Sequence, residues 1–308
     1  MGRPPLRPHE QNRARRGTRR RLAVFALIVP AVIALSGCSD SIKTGFLPST
    51  RDATNQTDKI ISLWNGSWIA ALAVGVVTWG LMLWCVVAYR RRREDTGLPA
   101  QVFYNMPLEI MYTVIPLMMI AVVFFYTAKA QAAISDVSAK PDVKINVVGK
   151  QWAWDFVYSD AKVYEVGLQA ELNGKPGVEK DLPTLYLPVG KRVEFELTSR
   201  DVIHSFWVPY FLYKMDVIPG VDNKFQVVPN REGTFRGKCA ELCGEYHSEM
   251  LFNVKVVSVD EYNKHLADLK AAGNVGDLSS NLGRSKTPPG GAVPGNPLLA
   301  TQPTGSAS

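Results

Sequence analysis

Cysteine and histidine are both scarce, with four of each in 308 residues. Cys38 follows an N-terminal apolar run and Cys85 lies inside a second one, so only Cys239 and Cys243 fall in polar, foldable sequence. His9 belongs to a basic leader and His265 to a late amphipathic stretch, which leaves His204 and His247. A dispersed charge excess is also missing. The net charge of +7 is accounted for by residues 1–21, which hold eight arginines and one glutamate. The rest of the chain balances at zero, so nucleic acid is not an expected partner. The segment around the two cysteines has no nucleophile paired with a base, which removes the basis for a hydrolase.

The scarce residues cluster. Residues 239–250 read Cys-Ala-Glu-Leu-Cys-Gly-Glu-Tyr-His-Ser-Glu-Met, a C-x3-C-x3-H-x2-M spacing, and His204 lies upstream in Asp-Val-Ile-His-Ser-Phe-Trp. Thiolate, imidazole and thioether suit copper better than any hard cation. Four readings compete. A disulfide suits an extracytoplasmic domain but leaves two histidines and Met250 unexplained. A structural Cys2His2 zinc site gains nothing from Met250. A mononuclear copper site with His2Cys and an axial Met leaves one cysteine over. A dinuclear copper site uses all five residues: the two thiolates bridge, and each metal takes one His and one weak ligand. Shared thiolates spread an added electron over both metals, which suits one-electron relay.

The order of the chain places this loop. Residues 1–37 read as a secretory signal: an Arg-rich start, an apolar run from Leu22 to Leu35, then small residues. Leu35-Ser36-Gly37-Cys38 resembles a bacterial lipobox, which makes Cys38 a lipidation candidate; an ordinary cleavage site with a coincidental Cys is the alternative. Trp68–Tyr89 is long and apolar enough to span a membrane, with aromatics towards its ends. Arg90–Arg93 then marks the cytoplasmic side. A second span runs from about Leu108 to Ala128, with Pro116 inside it. Both signals put everything after Lys129 outside. Glu109, at the inner start of the second span, is either an interfacial charge or part of a proton or ion route.

From Val143 the pattern turns strand-like: short β-branched and aromatic runs separated by Gly, Pro and Asn turns. This indicates a β-sandwich or barrel. Asn173–Asp181 reads as an exposed loop. Asp260–Ala272 fits one amphipathic helix, with Tyr262, Leu266 and Leu269 on one side. Residues 273–308 are too rich in Gly, Pro, Ser and Thr to bury a core. The expected divisions are a signal with lipobox (1–37), an extracytoplasmic N-terminal segment (38–66), a transmembrane hairpin (67–129), a β domain (140–260), and a C-terminal helix with a disordered tail (261–308).

Taken together, these residues resemble subunit II of a cytochrome c oxidase of the haem–copper superfamily, in a bacterial, lipoprotein-type form. The resemblance covers about residues 55–265. It rests on the C-x3-C-x3-H-x2-M loop with its upstream His, Gly-Lys-Gln-Trp-Ala-Trp, Asn-x-Pro-Leu-Glu-Ile at the second span, and Tyr-Lys-Met-Asp-Val-Ile-Pro-Gly. The family implies a two-helix transmembrane hairpin plus an all-β cupredoxin-like Greek-key sandwich. It implies a dinuclear copper centre, CuA, held by His204, Cys239, Cys243, His247 and Met250, with the backbone carbonyl of Glu241 as a further ligand. The Glu241 side chain is expected at a magnesium ion shared with subunit I. Trp152 matches the residue through which electrons enter, with a core strand aromatic as the plainer reading. Glu109 matches a carboxylate at the mouth of a proton route.

The partners implied are subunit I, other oxidase subunits and a c-type cytochrome, soluble, tethered or within a supercomplex. The implied location is the bacterial inner membrane, with the copper domain outside. Val221-Asp222-Asn223 departs from the family, which commonly has Arg after Ile-Pro-Gly. Other readings are a copper-free scaffold like subunit II of a quinol oxidase, which lacks the Cys pair, and a copper-storage protein, which favours flexible clusters. The CuA domain of nitrous-oxide reductase shares the loop, but lacks such a hairpin.

Overall fold

The computed structural model describes residues 40–91, 97–98, 101, 103–170, 182–276 and 278. The signal with Cys38, Arg92 and Arg93, the 173–181 loop and the chain past Leu278 lie outside them. The described residues up to Phe46 belong to a unit separate from Leu47 onward, and Asp40–Lys43 among them is a helical turn.

Two helices open the main unit: α1 (Thr57–Ala88) and α2 (Met106–Ile134). Both are long and apolar enough to cross a membrane, each with a mean hydropathy of 2.2 in its most apolar window and none of that window buried within the chain. Helix α1 begins eleven residues before the apolar run at Trp68. Its 32 residues exceed the roughly 20 that a bilayer core requires. The surplus lies at its start, where Thr57 and Ile61 are fully buried. The amphipathic signal is weak there, because the burying surface comes from distant sequence. Helix α2 starts with Asn105 as N-cap, its side chain accepting from the backbone N–H of Leu108 at 3.2 Å.

Among the described residues, the β domain has ten strands in two five-stranded sheets. The first has the order β3 (Val163–Glu165), β2 (Ala153–Tyr158), β1 (Val143–Lys150), β5 (Val193–Ser199), β8 (Asn223–Val227). The second has the order β4 (Thr184–Pro188), β10 (Leu251–Val257), β9 (Gly233–Cys239), β6 (His204–Val208), β7 (Tyr213–Val217). Most neighbours are antiparallel, but β1 pairs with β5 and β4 with β10 in parallel, so each sheet is mixed. The expected hairpin and cupredoxin-like sandwich are both present.

Aromatic rings join the sheets. Trp154 of β2 meets Phe206 and Phe252 of the second sheet edge-on, both at 5.6 Å between centroids. Phe156 meets Phe252 at 5.7 Å. Burying each such ring contributes about 2–3 kcal/mol. Gly237 on β9 has no side chain because a Cβ there would lie 2.0 Å from the Phe252 ring.

Helix α3 (Val259–Ala271) lies against β3 and β4, with Tyr262 and Leu269 buried. The expectation that the chain past 272 buries nothing fails for its first residues. Asn274 and Gly276 hydrogen-bond to the β3 region, and Leu278 is buried with Val148, Val157 and Tyr164.

Candidate metal centre

The loop between β9 and β10 is closed at its neck by the backbone N–H of Cys239 donating to the carbonyl of Met250 at 3.0 Å. The Ala240 N–H donates to Ser205 on β6, which brings the start of β6, and His204, beside Cys239. Gly244, at φ +128°, and a short 3-10 turn at His247–Glu249 fold the loop back on itself. Only glycine suits such a φ well.

These constraints bring the expected side chains together. The Cys239 and Cys243 sulfurs are 3.8 Å apart and unbonded, against about 2.05 Å in a disulfide. Cys239 Sγ lies 4.0 Å from His204 Nδ1 and 3.2 Å from the Glu241 carbonyl oxygen. Cys243 Sγ lies 3.4 Å from His247 Nδ1 and 3.7 Å from Met250 Sδ. Each sulfur thus has one imidazole nitrogen and one weak donor. His204, Cys239, Cys243 and Met250 are buried, and the ligand atoms of the first three fall within 4.8 Å of one another. Such a group could hold a metal ion.

The electrostatics agree with a cation. Burial pushes the Cys243 thiol up to about 12, and negative charge on Cys239 adds to this. Burial also opposes ionisation of Cys239, but hydrogen bonds with His204 and the backbone outweigh it and leave that thiol below its ordinary value. One thiolate therefore forms readily and the second needs a counter-charge, which a bound cation supplies.

Asp201, quoted only as part of a motif, orients His204. Its Oδ1 lies 2.8 Å from His204 Nε2, so the proton belongs on Nε2 and Nδ1 is free towards the sulfurs. The carboxylate is held by the N–H groups of Gln151 and Val202, both at 2.7 Å. Burial works against charge on Asp201, yet these hydrogen bonds keep its pKa lowered. Burial likewise opposes charge on His204, but its bonds to Asp201 and Cys239 leave its pKa raised. Gly149 makes room for the ring: a Cβ there would lie 2.9 Å from His204 Cδ2. The signal for Asp201 was an acid three residues before a candidate ligand; Gly149 gave none.

The two tryptophans separate clearly. Trp154 is fully buried, donates from Nε1 to the Met250 carbonyl at 3.3 Å, and is the core aromatic. Trp152 precedes β2, is half-buried, and donates from Nε1 to the Cys243 carbonyl at 3.3 Å. Gln151 Nε2 donates to the same carbonyl at 2.7 Å. The Glu241 side chain is exposed. Far from this loop, Glu109 accepts from the Asn105 N–H at 3.0 Å, closing the first turn of α2.

Fold and site together define a chain with two helices able to cross a membrane and a β-sandwich that carries a soft-ligand cluster suited to a metal. Residues 143–257 match the family described as cytochrome C oxidase subunit II, periplasmic domain. The chain is 45% identical to a probable cytochrome c oxidase subunit 2 of Streptomyces avermitilis, over 91% of this chain and 97% of that one. It is 36% identical to cytochrome c oxidase subunit 2 of Mycobacterium bovis, over 80% and 81%. A crystal structure of the periplasmic domain of subunit II of cytochrome oxidase of Bradyrhizobium japonicum is similar over 43% of this chain and 96% of that one, with 32% identity and a TM-score of 0.40. The chain belongs to the cytochrome c oxidase subunit 2 family, and is thus a subunit of an oxidase.

Proposed function

We propose that this chain relays electrons one at a time, through a dinuclear copper centre, from a c-type cytochrome to haem in subunit I, where oxygen is reduced to water and protons are pumped. The observation that carries the proposal is the paired donor set: two sulfurs 3.8 Å apart, each with its own imidazole and weak donor. His204, Cys239, Cys243, His247 and Met250, with the Glu241 carbonyl, would hold the metals. When bound, the pair supplies a one-electron redox couple with little change in coordination. The chain holds the donor atoms fixed: Asp201 sets the His204 tautomer and Trp154 anchors Met250. Burial of four of the five side chains excludes water. The Glu241 side chain, exposed, would reach a magnesium ion shared with subunit I.

Trp152 is the residue through which electrons enter, since its indole N–H reaches the carbonyl of a ligand residue. Glu109 is placed at the mouth of a proton route from the cytoplasmic side, in addition to its capping bond. The membrane is the bacterial inner membrane, Cys38 carries a lipid after removal of the signal, and the donor is a soluble, tethered or supercomplex-bound cytochrome. The divisions at 37, 66, 129, 140 and 260 follow from this arrangement. Metal analysis and electron-spin resonance of the purified chain test the central claim. Two coppers per chain with one unpaired electron shared equally are expected; one copper, or a preference for zinc, would refute it.

A further inference from the structure

Tyr246 is neither a metal donor nor part of the core, and 37% of it is exposed. Its ring meets that of Trp152 edge-on, with centroids 4.9 Å apart and planes at 75°. Two other contacts on the indole come from the same short loop. The Cys243 carbonyl accepts the Nε1–H. Gly244 lies close to the ring: a Cβ there would be 3.0 Å from Nε1 and 3.1 Å from Cζ2. Positions 243, 244 and 246 thus hold one side of Trp152, and the intervening loop is the one that supplies Cys243 and His247. A half-exposed indole needs more than one hydrogen bond to fix its plane, since a single bond leaves it free to swing about that bond. The tyrosine edge removes that freedom.

We infer that Tyr246 is a positioning residue for electron entrance: it locks the Trp152 indole in the orientation that couples a donor's haem edge to the metal loop through the Cys243 carbonyl. The inference rests on the proposed role of Trp152. In the step it serves, one electron leaves a ferrous haem, which becomes ferric, and the metal-loaded site is reduced by one. No bond is made or broken and no proton moves. Tyr246 contributes geometry alone.

The test uses the full chain assembled in the oxidase, with a basic soluble cytochrome c as donor and hexaammineruthenium(II) as a small reductant. Tyr246→Leu should lower the maximal rate of site reduction by cytochrome c by about 3- to 10-fold. Its KM, its copper resonance spectrum and the rate with the ruthenium reagent should stay at parental values. Tyr246→Phe, which keeps the ring edge, should restore the rate. A second readout needs no copper. In the purified metal-free chain, the near-ultraviolet circular dichroism of Trp152, identified by its loss in Trp152→Phe, should collapse in Tyr246→Leu and persist in Tyr246→Phe.

A rise in KM at an unchanged maximal rate would overturn the inference by making Tyr246 a docking contact. An altered copper spectrum in Tyr246→Leu would overturn it by showing a structural role in the loop. If Trp152→Leu is slow with cytochrome c while Tyr246→Leu keeps both rate and dichroism, this inference alone falls. If Trp152→Leu is itself as fast as the parent, the reading of Trp152 falls with it.

Discussion

At the scale of single residues, the centre depends on side chains that are not themselves metal donors. Asp201 accepts from His204 Nε2 and from two backbone N–H groups, so it ties a candidate ligand ring to the Gln151 backbone in the β1–β2 turn of the opposing sheet. Partners of this kind commonly alter metal affinity by about 10- to 100-fold. Asp201→Ala should weaken copper binding by that factor, measured by competition with a chelator of known affinity. Asp201→Asn retains an acceptor for Nε2–H and should recover most of the loss. Equal weakening in both variants would show that the carboxylate's charge, and not the orientation of the ring, is what matters. The two tryptophans teach a related point. A strand period of two would put Trp152 and Trp154 on one face, yet Trp152 sits in the turn before β2, where that period does not apply. Residue spacing picked out the candidate ligands; it could not assign the roles of two similar rings.

Among the elements, α3 carries a buried titratable cluster unrelated to the metal site. His265 stacks on Tyr186 of β4 at 3.7 Å, and its Nε2 lies 3.6 Å from Glu165 Oε2 on β3. Tyr158 of β2, Lys255 of β10, and Tyr262 and Asp268 of α3 complete the surroundings. Burial raises Glu165 from 4.5 to about 7 and lowers His265 from 6.5 to about 4. The folded state therefore keeps a proton on Glu165 that the unfolded chain releases, so this group's contribution to stability falls as pH rises from 4.5 to 7. His265 acts in the opposite sense: the unfolded chain takes up its proton near 6.5 and the folded one only near 4, so stability falls as pH drops through that window. The two slopes offset each other between pH 4.5 and 6.5. Glu165→Gln removes the first and keeps an acceptor for the Thr184 N–H. Its gain in melting temperature over the parent should be near zero at pH 4.5 and largest above pH 7, where the difference approaches about 3 kcal/mol. A gain that does not change with pH would show that Glu165 is not protonated in the folded state. None of this was legible from the sequence, where His265 was one polar residue in an amphipathic stretch; the burial comes from three strands distant in the chain.

Across the whole molecule, sequence pattern was most informative where one element decides its own structure. The two apolar helices, the strands with β-branched runs and the ligand loop were all legible for that reason. It was least informative at the joins. Strand β6 begins with the buried polar pair His204-Ser205, and its apolar run is cut short by Pro209, so it read as a ligand motif instead of a strand. The start of α1 is polar, and buried Thr57 donates its hydroxyl to the carbonyls of Arg51 and Thr54, both at 2.9 Å. There the chain is fastened to the exit of β8: Asn55 N–H donates to the Val228 carbonyl at 3.1 Å, the Val228 N–H donates to Asn55 Oδ1 at 2.8 Å, and the Asn230 N–H donates to the Ala53 carbonyl at 3.1 Å. The segment leaving α2 is fastened to the same strand, where buried Gln226 donates from Nε2 to the carbonyls of Ala139 at 2.8 Å and Val137 at 3.2 Å. Both ends of the hairpin thus meet the sandwich at β8, a mount that would serve the proposed electron relay by not swinging. Each fastening is a few hydrogen bonds, of about 1 kcal/mol apiece. Gln226→Ala should accordingly speed hydrogen exchange of the non-proline amides in 135–142 by roughly tenfold, and Asn55→Ala that of the Val228 amide. Amides at the centre of β1 should keep their slow exchange in both variants. Equal acceleration in β1 would mean that the substitutions loosen the sandwich as a whole and that these side chains are not a local mount. A drop in turnover with the copper spectrum intact, accompanying exchange confined to the joins, would tie the rigidity of the mount to the rate of electron delivery.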